Sequence, residues 1–282
     1  MRHDELNQYW LQEEPTKRDK ALNWMTAIGL QKVDGLRPSA YLLETAQRHI
    51  EGDISIDEVR HLLKSYYNTK NNRSNEDDRT EEADKVSANI VKLLNEQTFS
   101  FSPIGLSYIH ERIFDGVFKF AGSFRTCNIS KQEWVLRGES VLYVSYIELK
   151  RALQYDFDIE KEFSYKNITP SDMIKHFAKF ISGIWQIHPF LEGNTRTTAV
   201  FAIKYLRAMG FCFANDLFLE HSWFFRNALV RANYRNYKNN VEPDFEPLEK
   251  FFRNLLLGEN NELKNRSLVI NAPDDLISKV AP

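Results

Sequence analysis

The sequence predicts an all-α fold, and three observations carry that expectation. Apolar residues recur at three- and four-residue spacing along most of the 282-residue chain. Stretches of alternating polarity and clusters of Val, Ile and Thr are few. Only 11 Gly and 9 Pro interrupt the pattern, and it contains no internal repeat. With 43% of residues hydrophobic and 13% aromatic, the chain can bury one large core or two small ones.

Taken in order, residues 20–35 carry a short helical pattern that ends at Asp34-Gly35, with Pro38 as a stop just beyond. Tyr41 to Glu51 is amphipathic through Leu42, Leu43, Ala46 and Ile50 and closes at Gly52. Asp53-Ile54-Ser55 reads as a turn, and Ile56 to Tyr67 as a third helix with Val59, Leu62, Leu63 and Tyr66 on one side. Together these predict a small N-terminal helical appendage over residues 1–75. The stretch Asn68 to Glu82 has no apolar residue and is either a solvated linker or the polar start of the next helix, so the domain boundary is placed there.

A core domain over 80–258 follows. Ala83, Val86, Ile90, Leu93 and Leu94 sit at helical spacing. So do Leu106, Ile109, Ile113, Val117 and Phe120, and Ala121-Gly122 is expected to end that helix. Arg125 to Ser130 and Glu133 to Leu136 are expected to pair as a short β-hairpin, the strongest β candidate in the chain. Val144 to Leu153 returns to helix. Met173, Ile174, Phe177, Ile181, Ile184 and Trp185 form a stripe behind a Pro170-Ser171 start. Thr197 to Met209, Phe224 to Asn236, and Phe245 to Leu257 are the remaining helices, and a polar tail over 259–282 is expected to run across the surface.

Bulk properties exclude several partners. Lys+Arg 37 against Asp+Glu 39 give a formal charge of -2, with no electrostatic footprint for nucleic acid, an acidic substrate or an anionic membrane. No apolar run approaches a transmembrane span. The start, Met1 to Leu6, mixes charges and has no apolar region of the secretory kind, so a cytoplasmic location is expected. Cys127 and Cys212 have no metal-type spacing and read as reduced thiols.

The chemistry concentrates between two strong helices, in the run Ile187-His188-Pro189-Phe190-Leu191-Glu192-Gly193-Asn194-Thr195-Arg196. Pro189 cannot continue the preceding helix, so His188 is held at a helix end. Gly193 and Asn194 tolerate positive φ, which lets successive backbone N–H groups converge. That concavity opens on the N-terminus of the next helix, where free N–H groups and the helix dipole favour an anion. Arg196 adds a forked cation suited to phosphate oxygens. Glu192 is repulsive beside a phosphate unless a hard divalent cation lies between them, Mg²⁺ most simply. Singly, each residue reads as a helix end, a turn or a surface charge. Together, a base, an anion nest, an arginine and a metal carboxylate are the parts for displacement at phosphorus.

The run His188 to Arg196 resembles the Fic family signature, His-Pro-Phe-x-Asp/Glu-Gly-Asn-x-Arg, at each of its fixed positions. The run Phe118 to Arg125, followed by Asn128-Ile129-Ser130, is similar to the approach to that family's flap. The resemblance implies a helical Fic core with one β-hairpin flap, and protein adenylyltransferase (AMPylation) activity. By it, His188 takes a proton from a Tyr, Ser or Thr hydroxyl of an unidentified target protein, and the oxygen attacks the α-phosphate of the co-substrate ATP. Glu192 holds Mg²⁺; Gly193, Asn194, Thr195 and Arg196 hold the phosphates; and the flap at Asn128, Ile129 and Ser130 docks the target by strand addition. Asn227, Arg231 and Tyr234 fall where similar proteins bind the base, but an exposed amphipathic helix explains them equally well. A homo-oligomer is compatible with the sequence.

Two departures qualify the resemblance. Ala199 stands where many relatives carry a second arginine for the γ-phosphate, which opens the choice of donor to another nucleotide such as UTP. Within an antitoxin-like N-terminal layout, Asp34 stands where a glutamate belongs and Leu30 where a Ser or Thr belongs, so Asp34 reads as a degenerate inhibitory position or as a plain helix C-terminus. The rival from another class is a catalytically quiet module that binds a nucleotide or a protein.

Overall fold

The computed structural model describes residues 15–69, 74–214 and 216–270. The first residues, part of the polar stretch after Asn68, and the tail beyond Ile270 lie outside the described residues. Ten α-helices run through what is described: α1 (Pro15–Gln31), α2 (Ala40–Glu51), α3 (Ile56–Asn68), α4 (Asn75–Asn95), α5 (Pro103–Ile113), α6 (Leu149–Glu162), α7 (Pro170–Ile187), α8 (Asn194–Ala208), α9 (Leu217–Asn233) and α10 (Glu246–Leu257). Among the described residues there is no strand, only one isolated antiparallel bridge, Asn236 to Val241. The chain divides into two compact units. One holds the described residues up to Ser100 with Gly105–Ser123 and Ala199–Ser222; the other holds Phe101–Ile104, Phe124–Thr198 and the described residues from Trp223.

In the first unit, α1 is buried from Ala21 onward, through Ala21, Trp24, Met25, Ala27, Ile28 and Leu30. Its interior polar groups turn back on the helix: Thr26 Oγ1 donates to Leu22 O and Gln31 Nε2 to Ala27 O. Gly29 is required there, because a Cβ would lie 2.3 Å from the Leu219 Cα. α1 closes through a 3₁₀ turn (Lys32–Asp34) on Gly35, and Arg79 donates to the Asp34 carbonyl. Ser39 caps α2, and Ser55 with Glu58 forms a capping box on α3. Buried Asp84 accepts from the Ser39 amide and hydroxyl and from the Tyr67 hydroxyl, which ties α2, α3 and α4 together.

The polar stretch before Ala83 proves helical from Asn75 onward. Ser74 and Asp77 form a capping box and the first turn is acidic, so these polar residues start α4. The helix expected to reach Phe120 stops at Ile113. Beyond it Gly116 adopts φ 70°, and the Phe114, Phe118 and Phe120 rings stack on one another in a series of turns. Aromatic packing there outweighs the helical spacing.

In the second unit, Thr169 caps α7 and Pro170 occupies its first position. α7 buries Ile174, Phe177, Ile181, Ile184 and Trp185. Phe157 of α6 meets Phe180 edge-on, and Phe252 of α10 meets Phe177. The expected hairpin does not form a ladder. Glu133 N donates to Glu139 O and Gly138 N to Glu133 O, but the Lys131 amide goes to the Ser140 hydroxyl at 3.2 Å. Trp134–Leu136 curls into a 3₁₀ turn with Val135 and Leu136 buried, and Arg137 and Gly138 take φ 52° and 90°. Two consecutive left-handed residues make a compact loop in place of two strands. The described part of the tail packs rather than wanders: Leu263, Leu268 and Ile270 are buried, and Ile270 N donates to Val135 O.

Candidate active site

The loop between α7 and α8 lies within the second unit through Thr198. Its shape begins with His188, the C-cap of α7, at φ 52° and ψ 60°. The residue before a proline is disfavoured in the right-handed helical region, so the chain leaves the helix here. In this conformation one carbonyl, Trp185 O, receives both the His188 amide at 3.1 Å and Nδ1 at 3.0 Å. A carbonyl only accepts, so Nδ1 carries the proton and Nε2 presents a lone pair. Nε2 is buried and has no hydrogen-bond partner.

The imidazole is 2% exposed. It stacks on Tyr143 at 4.0 Å between centroids, and Trp185 meets it edge-on at 5.1 Å. Burial, then the positive charge of Lys131, push its pKa well below the ordinary 6.5; the bond to Trp185 O acts the other way. The ring is therefore neutral at pH 7.

Arg125 builds the loop around this histidine. Its amide donates to Pro189 O at 2.9 Å, its Nε to His188 O at 2.8 Å and its Nη2 to Ile187 O at 3.3 Å. One residue thus takes three consecutive carbonyls at the C-terminal end of α7, where carbonyls lack helical partners and a cation is favoured. The same guanidinium holds Cys127 O at 2.7 Å and also Val144 O. Arg125 is 3% exposed. The sequence offered one hint of it, a lone arginine just past the Gly122-Ser123-Phe124 turn.

Gly193 takes φ 77°, and its carbonyl accepts from Thr197 N as α8 begins. The amides of Asn194, Thr195 and Arg196 form the first turn, which leaves them without helical acceptors and suited to an anion. Asn194 is helical and does not use a positive φ. Its side chain instead clamps the loop, accepting from Phe190 N at 3.0 Å and donating to Phe190 O at 2.7 Å. Thr195 Oγ1 accepts from Trp185 Nε1 at 2.9 Å, which couples the end of α7 to the start of α8. Arg196 is 1% exposed and Phe190 is buried as an anchor against Phe124.

Glu192 stands at the mouth with its side chain half exposed, and Lys131 Nζ lies 2.8 Å from its Oε2. Sequence spacing gave no sign of this lysine. No group of three or more His, Cys, Asp or Glu that could hold a metal occurs among the described residues. One accessible carboxylate beside an anion-binding turn fits a divalent cation that arrives with a phosphate ligand, as Mg²⁺ does, and does not form an all-protein cage. Behind the histidine, buried Glu133 pairs with Arg226 Nη1 at 2.6 Å and faces the Tyr143 hydroxyl at 3.5 Å. Burial raises the Glu133 carboxyl above its usual range, and the Arg226 charge opposes it.

The proposed flap residues fall on the same loop system. Asn128 and Ser130 are exposed and Ile129 is half-buried, while Asn128 Oδ1 accepts from Tyr146 N at 3.0 Å. Asn227 donates to Asn265, and Tyr234 donates to Glu139, so both have structural partners. Ala199 is fully buried in α8. Asp34 belongs to the first unit, in the turn that closes α1.

Fold and site together define a helical protein in which the first turn of a helix, suited by its amides to an anion, lies in the same loop as a buried, neutral histidine. Residues 100–206 match the Fic/DOC family, and the chain carries a Fic/DOC family domain there. A crystal structure of a Fic family protein from Desulfovibrio desulfuricans G20 is similar in fold, with a TM-score of 0.53 and 12% identity, over 91% of this chain and 71% of that one.

Proposed function

We propose that the chain is a protein nucleotidyltransferase that moves AMP from ATP to a Tyr, Ser or Thr hydroxyl of another protein. The observation that carries the reading is the His188 ring, neutral and buried, with Nδ1 fixed on Trp185 O and Nε2 bare, beside the Gly193–Arg196 turn. A base for a hydroxyl needs that lone pair, whereas plain nucleotide binding does not.

In the proposed step the hydroxyl oxygen forms a bond to the α-phosphorus and gives its proton to His188 Nε2. The bond from the α-phosphorus to the bridging oxygen breaks, and pyrophosphate leaves with the electron pair. The first-turn amides of α8 and Arg196 bind the phosphates. Glu192 would hold Mg²⁺, which when bound supplies charge neutralisation and Lewis-acid polarisation at the phosphates. Arg125 keeps His188 in place, and Tyr143 and Trp185 exclude water from it. Buried Ala199 offers no charge to a triphosphate, so another nucleoside triphosphate is the alternative donor.

Intact-protein mass spectrometry after incubation with Mg²⁺ and each of ATP, GTP, CTP and UTP tests this. A gain of one nucleoside monophosphate, lost in His188→Ala, is expected with ATP. A gain with another nucleotide keeps the mechanism and moves the donor. No gain with any, or a gain that survives His188→Ala, removes the transferase reading. Nucleotide binding that survives His188→Ala without transfer in the wild type would favour the quiet module.

A further inference from the structure

Lys131 is the residue of the site that no motif assigns. Its backbone is fixed: the amide donates to Ser140 Oγ, Asn128 is fastened to Tyr146 N, and Glu133 N bonds Glu139 O while its side chain pairs with Arg226. Only the side chain is free to swing. It is about one-quarter exposed, and its ammonium rests on Glu192, itself half exposed. A pair of that kind contributes little to stability, because solvent screens it and two long side chains must be ordered to make it. The pair is therefore cheap to open, and its position matters more than its strength.

The ammonium sits on Glu192, an accessible carboxylate just before the first turn of α8. Its field also reaches the base, where it ranks after burial among the causes that hold His188 neutral. Lys131 thus stands within the electrostatic reach of both groups that flank a phosphate in this loop. When a divalent cation is brought to Glu192 with a polyphosphate, the ammonium loses its partner. Glu133, which also feels the Lys131 charge, is already paired with Arg226, so the phosphate chain would be the negative charge open to the ammonium, and a flexible point-charge donor such as Lys suits phosphate oxygens.

We propose that Lys131 is a nucleotide-binding residue: its ammonium pairs with Glu192 in the nucleotide-free protein and passes to a phosphate oxygen when the nucleotide is bound. The inference rests on the nucleotide reading of the loop. It assigns the 128–140 loop a role in holding the donor, in addition to docking a target.

The test is calorimetric titration of full-length His188→Ala protein, in which transfer is blocked, with ATP, GTP, CTP and UTP in excess Mg²⁺. The nucleotide bound most tightly is then titrated into the same protein carrying Lys131→Met or Lys131→Arg. Losing one charge-assisted bond to phosphate should weaken binding by about tenfold or more in Lys131→Met. Lys131→Arg should retain most of the affinity, and thermal melting of both should match the parent. Affinity in Lys131→Met equal to or tighter than the parent would overturn the inference while leaving the nucleotide reading intact, since the lysine would then be only a competitor for Glu192. If the parent binds no nucleotide at all, the nucleotide reading fails and this inference with it.

Discussion

Replacing Arg125 with Met gives the sharpest test of how the loop is built. The apolar side chain ends at about the level of the Arg125 Nε and loses four donated bonds, to Ile187 O, His188 O, Cys127 O and Val144 O. The backbone bond to Pro189 O remains. Each buried carbonyl left without a donor costs about 1–3 kcal/mol. The four act on one group and are not additive, and water reaches the partly exposed ones, so the expected loss is about 3–5 kcal/mol. That is a large share of the roughly 5–15 kcal/mol that holds a domain together. Arg125→Lys keeps the charge at the end of α7 but cannot fork to carbonyls on either side, so its loss should be smaller. Guanidinium denaturation followed by circular dichroism reads the stability. Transfer assays on Arg125→Lys read the geometry, where a displacement of the base by about 1 Å costs roughly a hundredfold in rate. A Met variant whose denaturation midpoint and transfer rate both match the wild type would refute the reasoning, because it would mean these carbonyls find other donors at no cost.

Acid should destabilise the protein through two histidines. Both His188 and His49 have folded pKa values below the ordinary 6.5, His49 at about 4 through burial and then the Lys20 charge. Above pH 6.5 neither state binds the proton; below it the unfolded chain does and the fold does not. Stability should therefore fall as pH drops below 6.5, through His49 until its folded pKa of about 4 and through His188 in the same direction, measurable as a shift in urea midpoint, and a flat profile would contradict it. By the same sign, the acid limb of kcat/KM for transfer, which reads the free enzyme, should lie well below pH 6.5. Asp34→Ala is expected to leave automodification unchanged; a many-fold rise on mass spectrometry would restore an inhibitory role for that turn.

Most of the helices were legible because their signals are local. Ser55 with Glu58, Thr169 before Pro170, and Gly35, Gly52 and Gly258 mark ends that backbone chemistry alone dictates. Errors arose where tertiary packing decided. The Phe114–Phe118–Phe120 stack ends α5 early, and the left-handed pair Arg137-Gly138 curls the segment after Glu133 into a loop anchored by buried Val135 and Leu136. The site divides in the same way. The residue types of His188 to Arg196 raised the expectation of phosphate chemistry, but the contacts each makes in the fold did not follow from them. Asn194 clamps Phe190 where positive φ was expected, and Thr195 Oγ1 accepts from Trp185 Nε1. Arg125, Lys131 and Tyr143 reach His188 from segments whose spacing says nothing about it.

Under the proposed function, their arrangement would let one histidine be neutral at rest and still accept a proton during reaction. Burial and the positive charges of Lys131, Arg226 and Arg125 disfavour the imidazolium, while the carbonyl of Trp185 favours it. The first group is not fixed. A nucleotide bound at the Gly193–Arg196 turn would bring phosphate charge into the pocket, and in the proposed exchange Lys131 would spend its charge on those phosphates. Both changes raise the proton affinity of Nε2. The base would then gain strength only when its substrate is present, and the bond from Nδ1 to Trp185 O would hold the tautomer throughout. A histidine exposed to water could not be tuned in this way, because solvent would screen each of these charges. Under the proposed function, burial of His188 is thus a condition of the chemistry and not merely a consequence of packing.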